Sequence, residues 1–261
     1  MIDPRGMLAV FRFECSRTIT LPRLAGWVVL TGFSPALLAL VSYKNGQLPE
    51  RSQLPDEAWW MFFFILIPEV TCLLGLLLWA TPMIHSELEG RTWIYLSVRP
   101  RGKGSVLLGK YLTAMAWAGS SALVGLTVSV IVTQPPDAMK LWSVYCALVA
   151  LSCLTYGSVY TFLGVAFQKR AMVLAVLYTL LFEFVVSFIP AIINKITIHY
   201  RLRGLMVRLM DFSLPPNVAE EARFGTEEAW LQVVILIATT FTALGLSFYV
   251  LHKRELVSED G

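Results

Sequence analysis

Residues 59–79 read WWMFFFILIPEVTCLLGLLLW, an apolar run in which Glu69 is the one charged residue. A helix needs about 20 predominantly apolar residues to cross the hydrocarbon layer of a bilayer, which is ~30 Å thick. This run is long enough, and comparable runs recur along the chain. Six membrane-spanning helices are therefore predicted, at residues 24–43, 59–82, 106–132, 141–167, 171–193 and 229–251.

The composition agrees with a chain that lies mostly in lipid. Of the 261 residues, 56% are hydrophobic and 15% are charged, which leaves too little polar surface to cover a water-soluble domain. The apolar runs are continuous and do not alternate in polarity, so they indicate helices and not the strands of a membrane barrel. The predicted fold class is an all-α, polytopic membrane protein, with one transmembrane domain over residues 1–261.

The distribution of positive charge predicts the orientation in the membrane. Lysine and arginine are enriched in the cytoplasmic loops of membrane proteins. If the amino terminus is cytoplasmic, most of the 21 Lys and Arg residues lie on that side. We therefore expect a multi-pass protein of the cell inner membrane with both termini in the cytoplasm. The net charge of +3 follows from this topology, and no nucleic-acid partner is predicted.

Two segments outside the spans have amphipathic patterns. Residues 1–23 mix apolar side chains with charged ones, which predicts an elbow helix in the cytoplasmic interface. Residues 194–228 separate the fifth and sixth spans and form an extracytoplasmic segment. Within it, Arg201 and Arg208 recur with apolar residues at helical spacing, so an amphipathic helix resting on the outer surface is predicted there.

The connection between the second and third spans, residues 83–105, is the most polar segment of the cytoplasmic side. It combines Glu87, Glu89 and Arg91 with the aromatic residues Trp93 and Tyr95. Aromatic anchors with charges around them are typical of a surface that contacts another protein. The alternative is an ordinary solvated loop.

Three short motifs follow one another in and after this loop. They are E-x-E-G-R-T at 87–92, L-S-x-R-P at 96–100 and L-L-G-K at 107–110. Together they resemble a run found in ABC-2-type permeases, the membrane subunits of ATP-binding-cassette exporters. The segment Phe13-Glu14-x-x-Arg17 before the first span is similar to the entry motif of the same family, and the six predicted spans with an enlarged outer segment match its architecture.

The resemblance implies a function, a set of partners and a docking site. The chain would be a permease subunit that pairs with a second permease copy and rests on a separate ATPase, which binds ATP and Mg. It would have no enzymatic activity and no cofactor of its own. The residues implied to contact the ATPase lie in the elbow and in the loop, and they are Glu14, Arg17, Glu87, Glu89, Gly90 and Arg91.

One stretch partly matches a phosphate-binding loop. Such a loop needs G-x-x-x-x-G-K-[ST] after a strand. In Gly104-Ser-Val-Leu-Leu-Gly109-Lys110-Tyr111, a tyrosine replaces the hydroxyl residue that holds magnesium, and a membrane span follows. The pattern therefore argues against nucleotide binding by this chain, and hydrolysis is expected in the partner.

Two acids inside the spans, Glu69 and Glu183, are the candidates for a substrate path or a proton site. Both are predicted near the middle of the bilayer, where an ionised carboxylate costs ~3 kcal/mol or more. No basic residue is expected at comparable depth, so each acid is either neutral or exposed to water. The structural alternative is a packing role, in which each is protonated and bonded to a Ser, Thr or Tyr of a neighbouring span.

Three classes of function follow from these patterns. The leading one is a transmembrane permease of an ABC exporter, and the alternative is a proton- or ion-coupled carrier that uses Glu69 and Glu183. An intramembrane protease is disfavoured, because the residues lack a serine or metal site. Ala114, Ala118 and Ala122, spaced by four in the third span, predict a face where another helix approaches closely.

Overall fold

The computed structural model describes residues 4–44, 56–83, 102–167, 170–186, 192–211 and 227–253, and all regular structure within these ranges is helical. The α-helices are α1 (Pro4–Arg17), α2 (Leu21–Lys44), α3 (Asp56–Phe64), α4 (Cys72–Trp79), α5 (Gly102–Thr133), α6 (Ala138–Ala166), α7 (Ala171–Tyr178), α8 (Ile198–Leu209) and α9 (Ala229–Lys253). A first π segment, Ile65–Thr71, joins α3 to α4, and a second π segment, Thr179–Val185, extends α7. A 3₁₀ turn, Ile192–Ile196, precedes α8.

Five helices of the described residues are long and apolar enough to cross a membrane. They are Leu21–Tyr43, Ala58–Trp79, Gly102–Thr133, Ala138–Ala166 and Ala229–Lys253. The all-helical fold class and a multi-pass membrane protein are thus confirmed. The predicted span at 171–193 corresponds to a shorter apolar helix, Ala171–Val185. Its continuation at 187–191 lies outside the described residues, so this predicted fifth span in chain order stays a prediction.

Small residues let the central helices pack closely, as the sequence predicted. Ala114, Ala118 and Ala122 on α5 are all buried. A Cβ built on Gly75 of α4 would lie 3.0 Å from the Cβ of Ala118, so the two helices are nearly in backbone contact there. The predicted face of α5 therefore receives another helix of the same chain.

Helix α6 lies at the centre of the bundle, because it packs against α5, α8 and α9. Hydroxyl groups connect it to the neighbouring span. Tyr145 Oη donates to the carbonyl of Trp60, and Ser152 Oγ donates to the carbonyl of Pro68 at 2.8 Å. These contacts show that the two helices run parallel, and they place Glu69, the residue after Pro68, beside the middle of α6.

The helix predicted at residues 196–210 exists, but its predicted position on the outer surface is wrong. Helix α8 packs against α6 and α9, and nine of its residues, from Ile198 to Val207, are buried. A Cβ built on Gly204 would lie 2.6 Å from Gln232 Nε2 of α9, so the glycine permits this close approach. Arginines that alternate with apolar residues predict a helix on a lipid surface. In the structure, Arg201 and Arg203 instead contact other side chains of the protein.

Helix α1, the predicted elbow, packs along α5 at the end of the bundle where α5 begins. Gly109 is the point of closest approach, because a Cβ there would lie 2.6 Å from Val10 Cγ1. A helix over residues 4–17 therefore agrees with the elbow prediction in its secondary structure. Its predicted location in the membrane interface stays a prediction.

Candidate functional site

The two predicted intramembrane acids both lie in π segments. Glu69 is in the first, Ile65–Thr71, and Glu183 is in the second, Thr179–Val185. A π-helical turn within an α-helix is rare and frequently marks a functional site. Both acids are 1% exposed, so they are buried inside the protein; their expected depth in the bilayer stays a prediction.

Pro68 accounts for the first π segment. Proline lacks a backbone N–H and cannot complete the regular hydrogen-bonding ladder of a helix. The nearby carbonyls are instead served by side chains: Thr71 Oγ1 donates to the carbonyl of Leu66 at 2.8 Å, and Ser34 Oγ of α2 lies 3.3 Å from the same oxygen. Ser152 of α6 serves the carbonyl of Pro68. Hydroxyls of neighbouring helices thus stabilise an irregular turn away from water.

Glu183 is surrounded by hydrogen-bond donors. Its Oε1 accepts from Tyr178 Oη at 2.7 Å, and its Oε2 accepts from Tyr156 Oη at 3.2 Å. The backbone N–H of His199 donates to Oε2 at 2.9 Å, and that of Ile198 donates to Oε1 at 3.4 Å. The carboxylate therefore joins α6, α7 and the start of α8 at one point.

The start of α8 is a capped helix terminus that faces this carboxylate. Thr197 has extended backbone geometry, and its Oγ1 accepts from the backbone N–H of Tyr200 at 3.2 Å. Glu183 accepts from the N–H groups of Ile198 and His199. The first N–H groups of a helix have no partner within the helix and carry a partial positive charge, so this position favours a negative side chain. Glu183 and Thr197 together satisfy the amino terminus of α8.

The surroundings of Glu69 differ from those of Glu183. His199 Nδ1 lies 2.8 Å from Glu69 Oε2. Within the described residues, neither carboxylate oxygen of Glu69 has a hydrogen bond of good angular geometry, and the same holds for Nδ1. The imidazole packs edge-on against Phe64, with ring centroids 5.6 Å apart, and near Phe184 at 6.4 Å. The acid and the imidazole thus meet in a mainly apolar pocket.

One arginine of α8 lies next to this pair, because Arg203 Nη1 is 3.4 Å from His199 Nε2. Arg201 of the same helix instead forms an ion pair with Glu227, whose Oε1 is also 3.6 Å from Lys195 Nζ. At the acid–imidazole pair, α8 therefore supplies the imidazole of His199 and the guanidinium of Arg203.

The structure brings together Glu69 and Glu183, and it overturns one expectation about them. The prediction that no basic residue lies at their depth is wrong, because α8 carries His199 and Arg203 into the bundle. The alternative was a protonated acid bonded to a Ser, Thr or Tyr of a neighbouring span; Tyr156 of α6 makes such a bond to Glu183, and the protonated state stays a prediction. The missed residues had one signal in the sequence: His199 and Arg203 are four residues apart and so share a helix face.

The predicted docking residue Glu14 lies inside the protein. It is 8% exposed, and its Oε1 is 3.2 Å from Lys110 Nζ, which is itself 6% exposed. Trp117 Nε1 donates to Thr18 Oγ1 at 2.9 Å, and Thr18 Oγ1 donates to the carbonyl of Glu14 at 2.7 Å. Glu14 therefore ties α1 to α5, and Arg17 is the exposed member of the predicted pair.

The remaining predicted docking residues, Glu87, Glu89, Gly90 and Arg91, lie outside the described residues. The stretch that partly matches a phosphate-binding loop is described, and it is the first part of helix α5. Its Lys110 is buried against Glu14. A phosphate-binding loop needs its backbone N–H groups turned toward the ligand, whereas those of Val106 to Tyr111 lie beyond the first turn of α5 and are hydrogen-bonded within the helix.

Comparison with known proteins gives no assignment. No protein-family model matches this sequence, and no curated protein matches it significantly. The resemblance to ABC-2-type permeases thus rests on the motifs at 87–110 and on the segment at 13–17.

Proposed function

We propose that this chain is the transmembrane permease subunit of an ATP-binding-cassette transporter, most simply an exporter of the cell inner membrane. It moves its substrate by alternating access, and a separate ATPase subunit supplies the energy. Two permease copies form the pathway. Support comes from the motifs of the loop after the second span, from the helical segment ahead of the first span, and from the multi-pass membrane fold.

The packing of residues at one end of the bundle is the observation that supports the proposal best. We call this the elbow end, and its apolar cluster consists of Val10, Met83, Val106, Leu107, Val165, Phe248, Val250 and Leu251. These residues come from α1, from both sides of the loop, and from the last turns of α6 and α9. The described residues on either side of 84–101 therefore both lie at the elbow end.

This construction suits a docking platform. The buried Glu14–Lys110 pair and the close approach at Gly109 fix α1 to α5. A force applied by a partner to the loop or to α1 is transmitted to α5 as to one body, because a packed interface does not deform continuously. Rigid-body rocking of the spans is then the expected response to closure of the ATPase around ATP.

The ATPase partner binds ATP and Mg, and this chain contributes the surface on which the ATPase docks. Arg17 of α1 and the loop residues Glu87, Glu89, Gly90 and Arg91 form the docking contact in this proposal. Glu14 contributes indirectly, because it holds α1 in place. The apolar residues on the outside of the bundle, such as Val29, Phe241 and Leu246, face lipid or the second copy.

The experiment replaces Glu87 and Glu89 together with Ala. The chain is tagged, purified from native membranes in detergent, and tested for a co-purifying ATPase whose hydrolysis is measured with and without the permease. We expect the double variant to insert normally and to lose stimulation of hydrolysis. The matched control replaces Glu220 and Glu221 with Ala, which removes the same two charges from the segment predicted on the opposite side.

A double variant that couples as well as the wild type would show that the docking assignment is wrong. A proton- or ion-coupled carrier is the second candidate, and the buried cluster of Glu69, Glu183 and His199 favours it. Recovery of the chain without any ATPase, under several detergent conditions, would move the assignment to that carrier.

A further inference from the structure

We propose that an anionic phospholipid binds at the elbow end. Its phosphate lies in a polar cavity between α1, α2, α5 and the end of the second span, and one of its acyl chains lies in an apolar groove beside that cavity. The two spaces share Trp117 of α5 as a wall. The lipid is a resident of the site and not the transported substrate, so the inference holds whether or not an ATPase drives transport.

The polar cavity has a volume of about 140 Å³. Three charged side chains of the described residues line it, and they are Glu14 of α1, Arg23 of α2 and Lys110 of α5. Two of these side chains are basic and one is acidic, so positive charge is in excess at physiological pH. An anionic group therefore suits this cavity better than a cation does.

Arg23 supplies the excess charge. Glu14 Oε1 lies 3.2 Å from Lys110 Nζ, so these two side chains balance each other. Arg23 is exposed, and its side chain has no ion-pair partner within the described residues. A guanidinium presents a planar fork of N–H donors that matches two oxygens of a phosphate group. Arg23 is thus the residue of this cavity that is best placed to hold a phosphate.

The threonine hydroxyls of the lining already donate to backbone carbonyls. Thr18 Oγ1 donates to the carbonyl of Glu14 at 2.7 Å. Thr113 Oγ1 donates to the carbonyl of Gly109 at 2.9 Å. A hydroxyl has one proton to donate, so neither threonine can also donate to a ligand in this arrangement. The cavity therefore attracts an anion through the charge of its basic side chains and not through a set of hydroxyl donors.

The neighbouring groove has a volume of about 390 Å³ and is apolar. Its lining includes Ile19, Leu24, Trp27, Ala116 and Trp117. The polar groups of the groove bond within the protein, because Trp27 Nε1 donates to Ser120 Oγ at 3.0 Å and Ser120 Oγ donates to the carbonyl of Trp117 at 3.0 Å. The groove therefore presents mainly hydrocarbon, which suits an acyl chain.

The combination of the two spaces points to a phospholipid. An apolar groove alone would accept a chain of any lipid, and a basic cavity alone would accept any small anion. Here Arg23 lines the cavity, Leu24 lines the groove, and Trp117 lines both. A ligand that joins an anionic group to a hydrocarbon chain satisfies both spaces at once. Arginine and tryptophan side chains at the ends of spans lie at the level where lipid headgroups are found.

The charges of the cavity favour an anionic headgroup over a zwitterionic one. Phosphatidylcholine carries a positive group next to its phosphate, whereas phosphatidylglycerol carries none. The acid that could receive a positive group is Glu14, which is 8% exposed and already paired with Lys110. We therefore expect phosphatidylglycerol to bind more tightly than phosphatidylcholine.

The experiment is native mass spectrometry of the full chain, released from detergent micelles that contain phosphatidylglycerol or phosphatidylcholine with the same acyl chains. The dissociation constant of the first bound lipid is measured for each. We expect the wild type to prefer phosphatidylglycerol by roughly tenfold, the size of one charge-assisted hydrogen bond. Arg23→Gln should lose this preference. The matched control is Arg170→Gln, which removes the same charge from an exposed position next to α7 and should keep the preference.

A second variant tests the groove. Ala116 is exposed and lines the groove, so Ala116→Leu places a larger side chain in the groove and not in the core. Binding of phosphatidylglycerol should weaken by about fourfold for each methylene group that the leucine displaces. Ala238→Leu is the control, because Ala238 is exposed on α9 and does not line the groove. It should bind the lipid as the wild type does.

Several results would overturn the proposal. Equal affinity of the wild type for the two lipids would show that the cavity does not select an anion. The same loss of preference in Arg170→Gln as in Arg23→Gln would mean that any surface charge attracts the lipid. Displacement of the lipid by an equal concentration of inorganic phosphate, or full binding in Ala116→Leu, would show that the groove takes no part. Thermal unfolding in detergent checks that each variant is folded, as the exposure of Arg23 and Ala116 leads us to expect.

Discussion

Glu14–Lys110 at the elbow end and Glu69–His199 in the middle of the bundle are both buried acid–base pairs, and they differ in the base. An ammonium group has only donors and keeps its charge at physiological pH. An imidazole can donate through one nitrogen and accept through the other, and His199 contacts Glu69 on one side and Arg203 on the other. The Glu14–Lys110 pair is therefore a fixed tie between α1 and α5, whereas the Glu69–His199 pair belongs to a cluster that joins several helices.

The largest expected effect comes from breaking the fixed tie. Lys110→Met leaves the carboxylate of Glu14 buried without its ionic partner, which costs about 3 kcal/mol or more. We expect a correspondingly lower free energy of unfolding in mixed detergent and SDS. The double variant Glu14→Gln with Lys110→Met should recover most of that loss, because it removes the uncompensated charge.

Lys140→Met is the matched control for this variant. Lys140 Nζ is 2.7 Å from Asp211 Oδ2, but both side chains are exposed. An exposed pair contributes about 1 kcal/mol or less, so its loss should be small. Equal destabilisation by Lys110→Met and Lys140→Met would mean that burial does not distinguish the tie at the elbow end.

A medium effect is expected from a steric change at the contact between α1 and α5 that leaves the Glu14–Lys110 ion pair unchanged. The Cβ in Gly109→Ala would lie 2.6 Å from Val10 Cγ1, and such overpacking costs about 1–3 kcal/mol. Gly26→Ala in α2 is the control, because no heavy atom lies within 4 Å of the added Cβ. It should be neutral or slightly stabilising, since alanine favours a helix over glycine by up to about 1 kcal/mol.

Thermal unfolding of both glycine variants and proteolysis of α1 are the measurements. We expect cleavage within residues 4–17 to become faster in Gly109→Ala alone. Resistance to proteolysis equal to that of the wild type would indicate that α1 does not depend on its contact with Gly109.

The smallest effect is expected beside the Glu69–His199 pair, from the cap of α8. Thr197→Ala removes the hydroxyl that accepts from the N–H of Tyr200, and loss of such a cap costs about 1 kcal/mol. Glu183 still serves the first two N–H groups, so α8 should remain folded. Exchange of the backbone amides of α8 with deuterium is the measurement, and it should be faster in the variant.

Thr242→Ala is the control for the cap. Thr242 is exposed on α9, and its hydroxyl donates to the carbonyl of Ala238 within the helix. This change should stay within about 0.5 kcal/mol. If both threonine variants behave alike, the cap at Thr197 contributes nothing beyond an ordinary surface hydroxyl.

The sequence was most informative where local rules decide the structure. Run lengths predicted the long helices, and the spacing of Ala114, Ala118 and Ala122 predicted a close helix contact. Each of these inferences depends on residues within one or two turns of each other, and the geometry of a helix fixes their relation.

The rest depends on contacts between residues far apart in the chain. The pairing of His199 with Glu69 and of Lys110 with Glu14 is set by tertiary packing, which the pattern of one segment does not contain. Helix α8 was recognised as amphipathic, but the same pattern suits a lipid surface and an interior that offers Glu227 and Glu69 as partners. The docking residues at 87–91 lie outside the described residues, so that part of the prediction is still to be tested.

The position of α8 also sets an order of events during synthesis. Glu69 enters the membrane with the second span, long before the ribosome has made His199, and Glu183 enters before the N–H groups that it anchors exist. Both acids therefore cross the translocon without their final partners. The segment that completes the centre of the bundle is among the last to emerge, so the finished protein closes around acids that were inserted first.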